Sequence, residues 1–549
     1  QSAADSVIVV WPDGRISRRH NVAADQWLTI AYPEEVTAGP PPRPLAGVDP
    51  LFRNNEPPVG LRYRHDAHYF SDLNVAPTLP HEPSKAGPPL ATGDLNGDRL
   101  PDLVVGGNAG QPLAFFFQTD TGGFVRQPLP FDADRKDTGC LLFDADGDGD
   151  LDLYVVSGGG HRPPGDAGYQ DRLYRNDGAG NFQPAPAALP AVNSSGSCAR
   201  AADYDGDGDP DLFVGGRYLP GQYPLPARSF LLRNDGGRFT DVTPEALREP
   251  GLVTDAAWTD YDGDGRPDLL LAGEWMPLTC FRNDGATLHP TAIDVTDAEN
   301  GRSLPTDGWW FHLRAADFDG DGDEDLLAGN LGLNSKLKAS PEQPVQILAK
   351  DFDNNGGIDP LITHYVQGEP YVLQQRDLLI KQIPGMKRRF PNYQSYAEAP
   401  LDRTLYKKDL TGAYVAESRL FASALLENTG DGRFRLHRLP TECQFAPLQA
   451  SLLLDINDDG RPDLLTAGNL HAAETMQLGW YDASYGNVLL NRGGLKFESV
   501  NPLATGFVMD GDVRSLARLA LENGQQLIVG GVCEGEMKVL VLGEAAPEL

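Results

Sequence analysis

A nine-residue pattern, D-x-[DN]-x-[DN]-x-x-x-D, occurs seven times in this chain and limits its possible folds more than any other feature. The loops open at Asp94, Asp144, Asp203, Asp260, Asp317, Asp351 and Asp455, at spacings of 50, 59, 57, 57, 34 and 104 residues. Four of these spacings suit one four-stranded propeller blade, so the pattern reads as a supersecondary repeat rather than scattered acidity. Strand signals recur around each loop. A short apolar stretch such as Leu141-Leu142-Phe143 precedes it, and a run ending in glycine, such as Leu103-Val-Val-Gly-Gly107, follows it. The next strand leads into an Asn/Asp-Gly hairpin turn, at 175–182, 233–239, 282–286 and 428–434, where these residues tolerate positive φ. One such sheet cannot bury both faces alone, so the units must stack in a ring or a row.

The loop spacing suits a hard cation. Positions 1, 3 and 5 turn side-chain oxygens inward, position 7 offers its carbonyl, and the Asp at position 9 closes the set. The candidate ligands are Asp94, Asn96, Asp98, Leu100 and Asp102 in the first loop, and Asp144, Asp146, Asp148, Asp150 and Asp152 in the second. The third and fourth offer Asp203, Asp205, Asp207, Asp209 and Asp211, then Asp260, Asp262, Asp264, Arg266 and Asp268. The fifth offers Asp317, Asp319, Asp321, Asp323 and Asp325, and the sixth Asp351, Asp353, Asn355, Gly357 and Asp359. The seventh offers Asp455, Asn457, Asp459, Arg461 and Asp463. Carboxylates packed this closely repel one another without a cation. EF-hand loops run on to a Glu at position 12 between helices, whereas here β-type residues follow position 9 at once. Magnesium keeps its waters, so calcium at about seven structural sites is the expectation.

The net charge of −32 follows from the same loops, which hold 29 Asp. Such an excess disfavours nucleic acid and anionic membranes. No apolar run approaches the roughly 20 residues of a membrane-spanning helix. The chain opens on Gln1 without a signal peptide, which points to a processed start or a piece of a longer precursor. Against the acidic background, an insertion at about 375–417 gathers Lys381, Lys387, Arg388, Arg389, Lys407 and Lys408 among tyrosines. It reads as a contact for an acidic partner or glycan, or as a surface excursion paired with the chain's own Asp loops. Trp275, Trp309, Trp310 and Trp480 read either as sugar-stacking platforms or as packing between sheets. Cys140 and Cys198 could bridge neighbouring inner strands or remain buried thiols, and five cysteines leave at least one unpaired. No HExxH, GxSxG, P-loop or dinucleotide fingerprint is present, so no catalytic residue is assigned and a binding protein rather than an enzyme is expected. His312, Arg314, His364 and Tyr365 could serve a concealed active site, but nothing in the sequence brings them together.

At the repeated D-x-D-G-D-G-x-x-D-L residues the chain resembles the FG-GAP/VCBS repeat propellers, over about residues 60–549. More narrowly it is similar to the cartilage acidic protein and ASPIC/UnbV relatives found in Bacteroidota. The segment Ser6–Ile30, with Val-Val-Trp-Pro-Asp-Gly, resembles the end of an ASPIC/UnbV module. The resemblance implies three parts: the end of that module at 1–32, a Pro-rich linker at 33–59 and an all-β calcium propeller at 60–549. If the Asp351 loop lies in an outer hairpin of the fifth blade there are seven blades; if it opens its own there are eight. The last unit lacks an Asp loop and an outer strand, which Gly60–Leu73 is expected to supply. Calcium demand, acidity and the resemblance imply an exported module at the cell surface that binds a protein or glycan. Alternatives are a subunit of a larger surface assembly and a carbohydrate-active enzyme.

Overall fold

The computed structural model describes residues 3–10, 16–24, 26, 28–31, 50–54, 56–430 and 432–543. Contacts divide the chain into two units, Gln1–Pro50 and Leu51–Leu549. In the first, Ala3–Val10 and Ile16–Ala23 form an antiparallel hairpin, with Val7 opposite Arg19. The Pro-rich stretch expected as a linker lies outside the described residues up to Asp49.

Among the described residues the second unit holds eight sheets, mainly antiparallel. Seven of them follow one another around a closed ring, their first strands being Leu90–Gly93, Asp137–Phe143, Gly196–Ala202, Leu252–Thr259, His312–Ala316, Leu448–Leu454 and Val513–Ala520. The reason is visible in the second strands, which are apolar on both faces. In Asp211–Gly216, Leu212 and Val214 pack on Tyr154 and Val156 of the sheet before, while Phe213 packs on Leu269 and Leu271 of the sheet after. Side chains alternate across a strand, so a strand buried on both sides joins its two neighbours and reads as a continuous apolar run. The same alternation, in Leu103 and Val105 against Val104, joins the last ring sheet to the first and the first to the second.

The ring closes from the N-terminal side, but not through the expected segment. Phe52–Arg53, within the stretch read as linker, pairs with Leu542 and Val541 as the outer strand of the last sheet. Phe52 takes that edge because its ring is fully buried against Phe507, 5.0 Å away. Residues 60–73 instead run past the first sheet, where Leu61 and Tyr63 fill the core and only Arg64 bridges to Glu536.

The eighth sheet explains the irregular spacings of 34 and 104 residues. Val345–Lys350, Asp359–Val366, Glu369–Val372 and Tyr414–Ser418 form a sheet of their own, inserted between the second and third strands of the fifth ring sheet. The Asp351 loop therefore joins two strands of an inserted sheet rather than sitting in an outer hairpin. Short helices over 376–404 cover one face of it, where Leu379, Ile383, Met386 and Phe390 bury Leu348 and Leu361. Its other face sends Val345, Ile347 and Ile362 into a core with Trp275, Trp309 and Phe421. All five cysteines are free thiols.

Candidate metal loops and central channel

Each Asp loop turns sharply between the first and second strands of its sheet. The turn needs left-handed residues at positions 4 and 6, usually glycine (Gly206 at φ 78°, Gly208 at φ 99°). Arg99, Asn354 and Asp458 take such a position without being glycine. The carboxylate at position 1 accepts the N–H of position 6 in every loop, for instance Gly208 to Asp203 at 3.0 Å and Gly460 to Asp455 at 2.8 Å. Position 5 accepts the N–H of position 7, as Arg266 donates to Asp264 at 3.1 Å. The Asp at position 9 is buried and clamps two elements. Asp211 accepts the N–H of Tyr204 in its own loop at 3.1 Å and that of Asn234 on the third strand at 2.7 Å.

Burial pushes these last carboxyls up, to about 6 at Asp102, Asp152 and Asp268 and to about 7 at Asp211 and Asp325, with neighbouring carboxylates adding to the rise. A cation would reverse that. In five loops one oxygen each from positions 1, 3 and 9 converges within 4.8 Å: Asp144, Asp146 and Asp152; Asp203, Asp205 and Asp211; Asp260, Asp262 and Asp268; Asp317, Asp319 and Asp325; Asp351, Asp353 and Asp359. In three of these, Asp146 Oδ1, Asp205 Oδ1 and Asp262 Oδ1 are buried with no hydrogen-bond partner. A buried carboxylate oxygen without a donor is costly, and a hard cation satisfies it. The donor sets fit a metal ion. The loops at Asp94 and Asp455 carry Asn96 and Asn457 at position 3, whose amide nitrogens face Asp98 and Asp459 at 3.0 and 3.1 Å.

The Asn of the turns at 175–182, 233–239, 282–286 and 428–434, expected only to shape the hairpin, also locks the ring, and Asn491 does the same. Asn176, Asn234, Asn283, Asn428 and Asn491 each donate a side-chain N–H to the carbonyl at position 2 of the preceding sheet's Asp loop. Asn283, for example, reaches Tyr204 O at 2.6 Å and Pro267 O at 3.1 Å, while its own carbonyl accepts the N–H of Gly285 at 2.9 Å. The available signal was the Asn recurring after the apolar run of each third strand; an Arg precedes it at Asn176, Asn234 and Asn283, but Glu427 and Leu490 precede Asn428 and Asn491. Asn283→Ala leaves buried carbonyls unpaired and is expected to cost about 3 kcal/mol, read from chemical unfolding.

A channel runs through the ring between the first strands. Residues 76–87 cross the end opposite the Asp loops, tied down by Glu82 N–H to Ala472 O at 2.9 Å and Gln374 Nε2 to Thr78 O at 3.0 Å. Beneath this plug, Glu274 is completely buried. Its Oε2 accepts the Tyr223 hydroxyl at 2.9 Å, while Arg217 Nη2 and His81 Nε2 approach Oε1 off the hydrogen-bond line, at 2.6 and 2.9 Å. Burial alone would raise this carboxyl; Arg217 first and then His81 outweigh it and hold Glu274 at about 2. Deeper in, Asp255 pairs with Arg200 and lies 3.1 Å from His312 Nδ1, and His312 Nε2 lies 2.8 Å from Ser451 Oγ. Arg314 donates to the same Ser451 Oγ at 3.1 Å. The structure thus brings His312 and Arg314 together in the channel, while His364 and Tyr365 lie on the inserted sheet.

Trp275, Trp309 and Trp310 are buried as packing residues, whereas Trp480 is 62 % exposed. The cations of the insertion do not pair with the Asp loops among the described residues. Arg389 pairs with Asp409 inside the insertion and lies over the Tyr406 ring at 4.1 Å, while Lys381, Lys387, Arg388, Lys407 and Lys408 are exposed. No helix of the described residues is long and apolar enough to cross a membrane.

The FG-GAP-like repeat family matches residues 94–155, 157–214, 226–271 and 260–328. No curated protein matches the chain. Among solved structures it is similar to BBS1N from its complex with ARL6DN, at 12% identity over 91% of this chain and 99% of that one, with a TM-score of 0.40. It is also similar to the V. cholerae biofilm matrix protein Bap1, at 10% identity over 91% and 92% with a TM-score of 0.34, and to the Dos1 propeller, at 10% over 84% and 94% with 0.35. The matched residues hold five of the seven Asp loops, each set between the first two strands of a ring sheet. From residue 94 to residue 328 the chain therefore carries FG-GAP-like repeats, within an all-β fold of propeller type.

Proposed function

We propose that the chain is an exported, calcium-loaded propeller that binds a protein or glycan partner and carries out no chemistry on it. The seven ring sheets are its blades, and the inserted sheet rides on the fifth. Calcium is held at all seven loops by the position 1, 3, 5, 7 and 9 ligands named above. The paired strands Ala3–Val10 and Ile16–Ala23 belong to the end of an ASPIC/UnbV-like module, and the propeller begins at Leu51. Extracellular calcium modules work at Kd near roughly 10⁻⁴–10⁻³ M, which suits a millimolar environment outside the cell.

The observation that carries the binding reading is an exposed aromatic surface beside the basic insertion. Met476, Trp480 and Tyr485 are all exposed on the single connection 469–486. Gln375 at the start of the insertion donates to Met476 O at 3.0 Å, which places the exposed cations on a neighbouring segment. Aromatic faces beside cations suit an acidic glycan or an acidic protein surface. The test is an array of glycans and surface proteins probed with the calcium form. Trp480→Ala should weaken the strongest hit about tenfold with an unchanged melting temperature, as expected of an exposed anchor residue. Unchanged affinity would contradict this surface.

A second reading, a carbohydrate-active enzyme, draws support from the channel, where Glu274, His81, Tyr223 and Arg217 meet. Turnover of a polysaccharide that disappears in Tyr223→Phe without loss of folding would favour it over simple binding.

A further inference from the structure

The channel has a charge that the rest of the chain does not explain. Arg314, half-buried on the first strand of the fifth ring sheet, has no carboxylate at ion-pair distance among the described residues. Its Nε and Nη2 donate only to the Oγ and carbonyl of Ser451, at 3.1 and 3.2 Å, and both acceptors are neutral. The acid nearby, Asp255, is already taken by Arg200, by His312 and by the N–H of Leu313 at 2.9 Å. Arg217, further towards the plug, keeps a buried Nη1 with no partner. Arg217 already has Glu274 as its counter-charge, so Arg314 is the guanidinium that a chain of net charge −32, with acids in excess, leaves without one. Half-buried cations left open in a concave site are the usual preparation for an anion, and a guanidinium fork fits a carboxylate in two-pronged fashion.

The neutral lining narrows the ligand further. Thr138, Ser197 and Thr254 stand on three successive first strands and border the same cavity. Each spends its hydroxyl proton on a backbone carbonyl: Thr138 on Gly196 O at 2.9 Å, Ser197 on Gly215 O at 3.2 Å, Thr254 on Trp310 O at 2.8 Å. Their oxygens remain as acceptors, so the matching ligand brings its own hydroxyl donors. The cavity measures about 280 Å³, just below the roughly 300 Å³ at which drug-sized pockets begin, which suits one monosaccharide-sized molecule rather than a polymer. Arg200, His312 and Arg314 also border a cleft of about 340 Å³ with Trp258 and Glu324, an entry from the Asp-loop side.

We propose that the central channel is a binding site for a small hydroxylated carboxylate of the sugar-acid class, with its carboxylate on Arg314 and its hydroxyls donating to Thr138, Ser197 and Thr254. This goes beyond the partner surface at Trp480, and either site can exist without the other. The test is calorimetric titration of the calcium-loaded chain with D-glucuronate, D-glucose and sulfate in parallel. Saturable binding of glucuronate at one site is expected, with glucose at least tenfold weaker because it lacks the charge. Arg314→Gln keeps two hydrogen-bond donors and should reduce glucuronate affinity at least tenfold. The melting temperature of each sample, with and without calcium, scores folding and the calcium reading separately. Absence of glucuronate binding to the folded wild-type chain would overturn the proposal. So would equal affinity for glucose, tighter binding of sulfate, or undiminished glucuronate affinity in a folded Arg314→Gln variant.

Discussion

Removing calcium with excess EGTA is expected to lower the melting temperature of this chain by tens of degrees, and re-addition of Ca²⁺ but not Mg²⁺ to restore it. The size follows from linkage. A ligand that binds only the folded state at ten times its Kd stabilises that state by about 1.4 kcal/mol per site. Seven such loops contribute about 10 kcal/mol, comparable with the whole stability of an ordinary domain. The structure gives the reason for the dependence. Asp146, Asp205 and Asp262 each bury an oxygen with no donor, and the closing carboxylates are pushed up by burial among other carboxylates. Seven divalent ions would reduce the net charge by 14, from −32 to −18, and relieve that repulsion. Magnesium should fail because it demands a small octahedral shell and gives up water reluctantly. Scanning calorimetry on the chelated, calcium and magnesium forms is the measurement.

The second large effect is expected at Glu274, far from the loops. Glu274→Gln preserves shape but leaves the Arg217 guanidinium buried without its counter-charge. Breaking one partner of a buried pair costs about 3–5 kcal/mol. The penalty should also track pH in a defined direction. Glu274 is held at about 2, below its ordinary value of 4.5, by Arg217 and His81 acting against burial. A depressed carboxyl contributes stability that is complete above the unfolded value and is lost as pH falls through the folded one. The difference between wild type and variant should therefore be constant from neutral pH down to about 4.5 and shrink below it. Denaturant unfolding in saturating calcium reports both the size and the constancy. A loss below 1 kcal/mol at neutral pH would mean that Tyr223 and the plug hold this end of the channel without the charge.

What could be read from the sequence was what is local. The candidate ligands of one loop lie within nine residues, so their spacing exposes the donor set before any tertiary contact is considered. The two-sided burial of Leu212, Phe213 and Val214 was legible for the same reason, as a continuous apolar run after each loop. The inserted sheet showed only as its shadow, two irregular spacings, because nothing in Val345–Lys350 distinguishes a strand of a ring sheet from one outside it. Closure by Phe52 was missed because a two-residue strand has no period to detect, and its Pro-rich flank reads as linker. The channel was beyond reach for a different reason. Asp255, His312, Arg314 and Ser451 come from three different sheets, and no spacing in the chain records that they meet. The Asn clasps fall between the two cases. Their recurrence was visible, but their partner, a carbonyl in the preceding loop, is defined only once the ring is closed.

Counting the bound ions tests most directly whether the seven Asp loops are calcium sites. Equilibrium dialysis of the folded chain against millimolar Ca²⁺, with the bound metal measured per chain, should give about seven ions, falling to about six when the closing residue of one loop is replaced by Asp325→Ala. Binding of one ion or none by a folded chain would contradict the account, and the clustered carboxylates would then have to be explained as protonated, hydrogen-bonded turns.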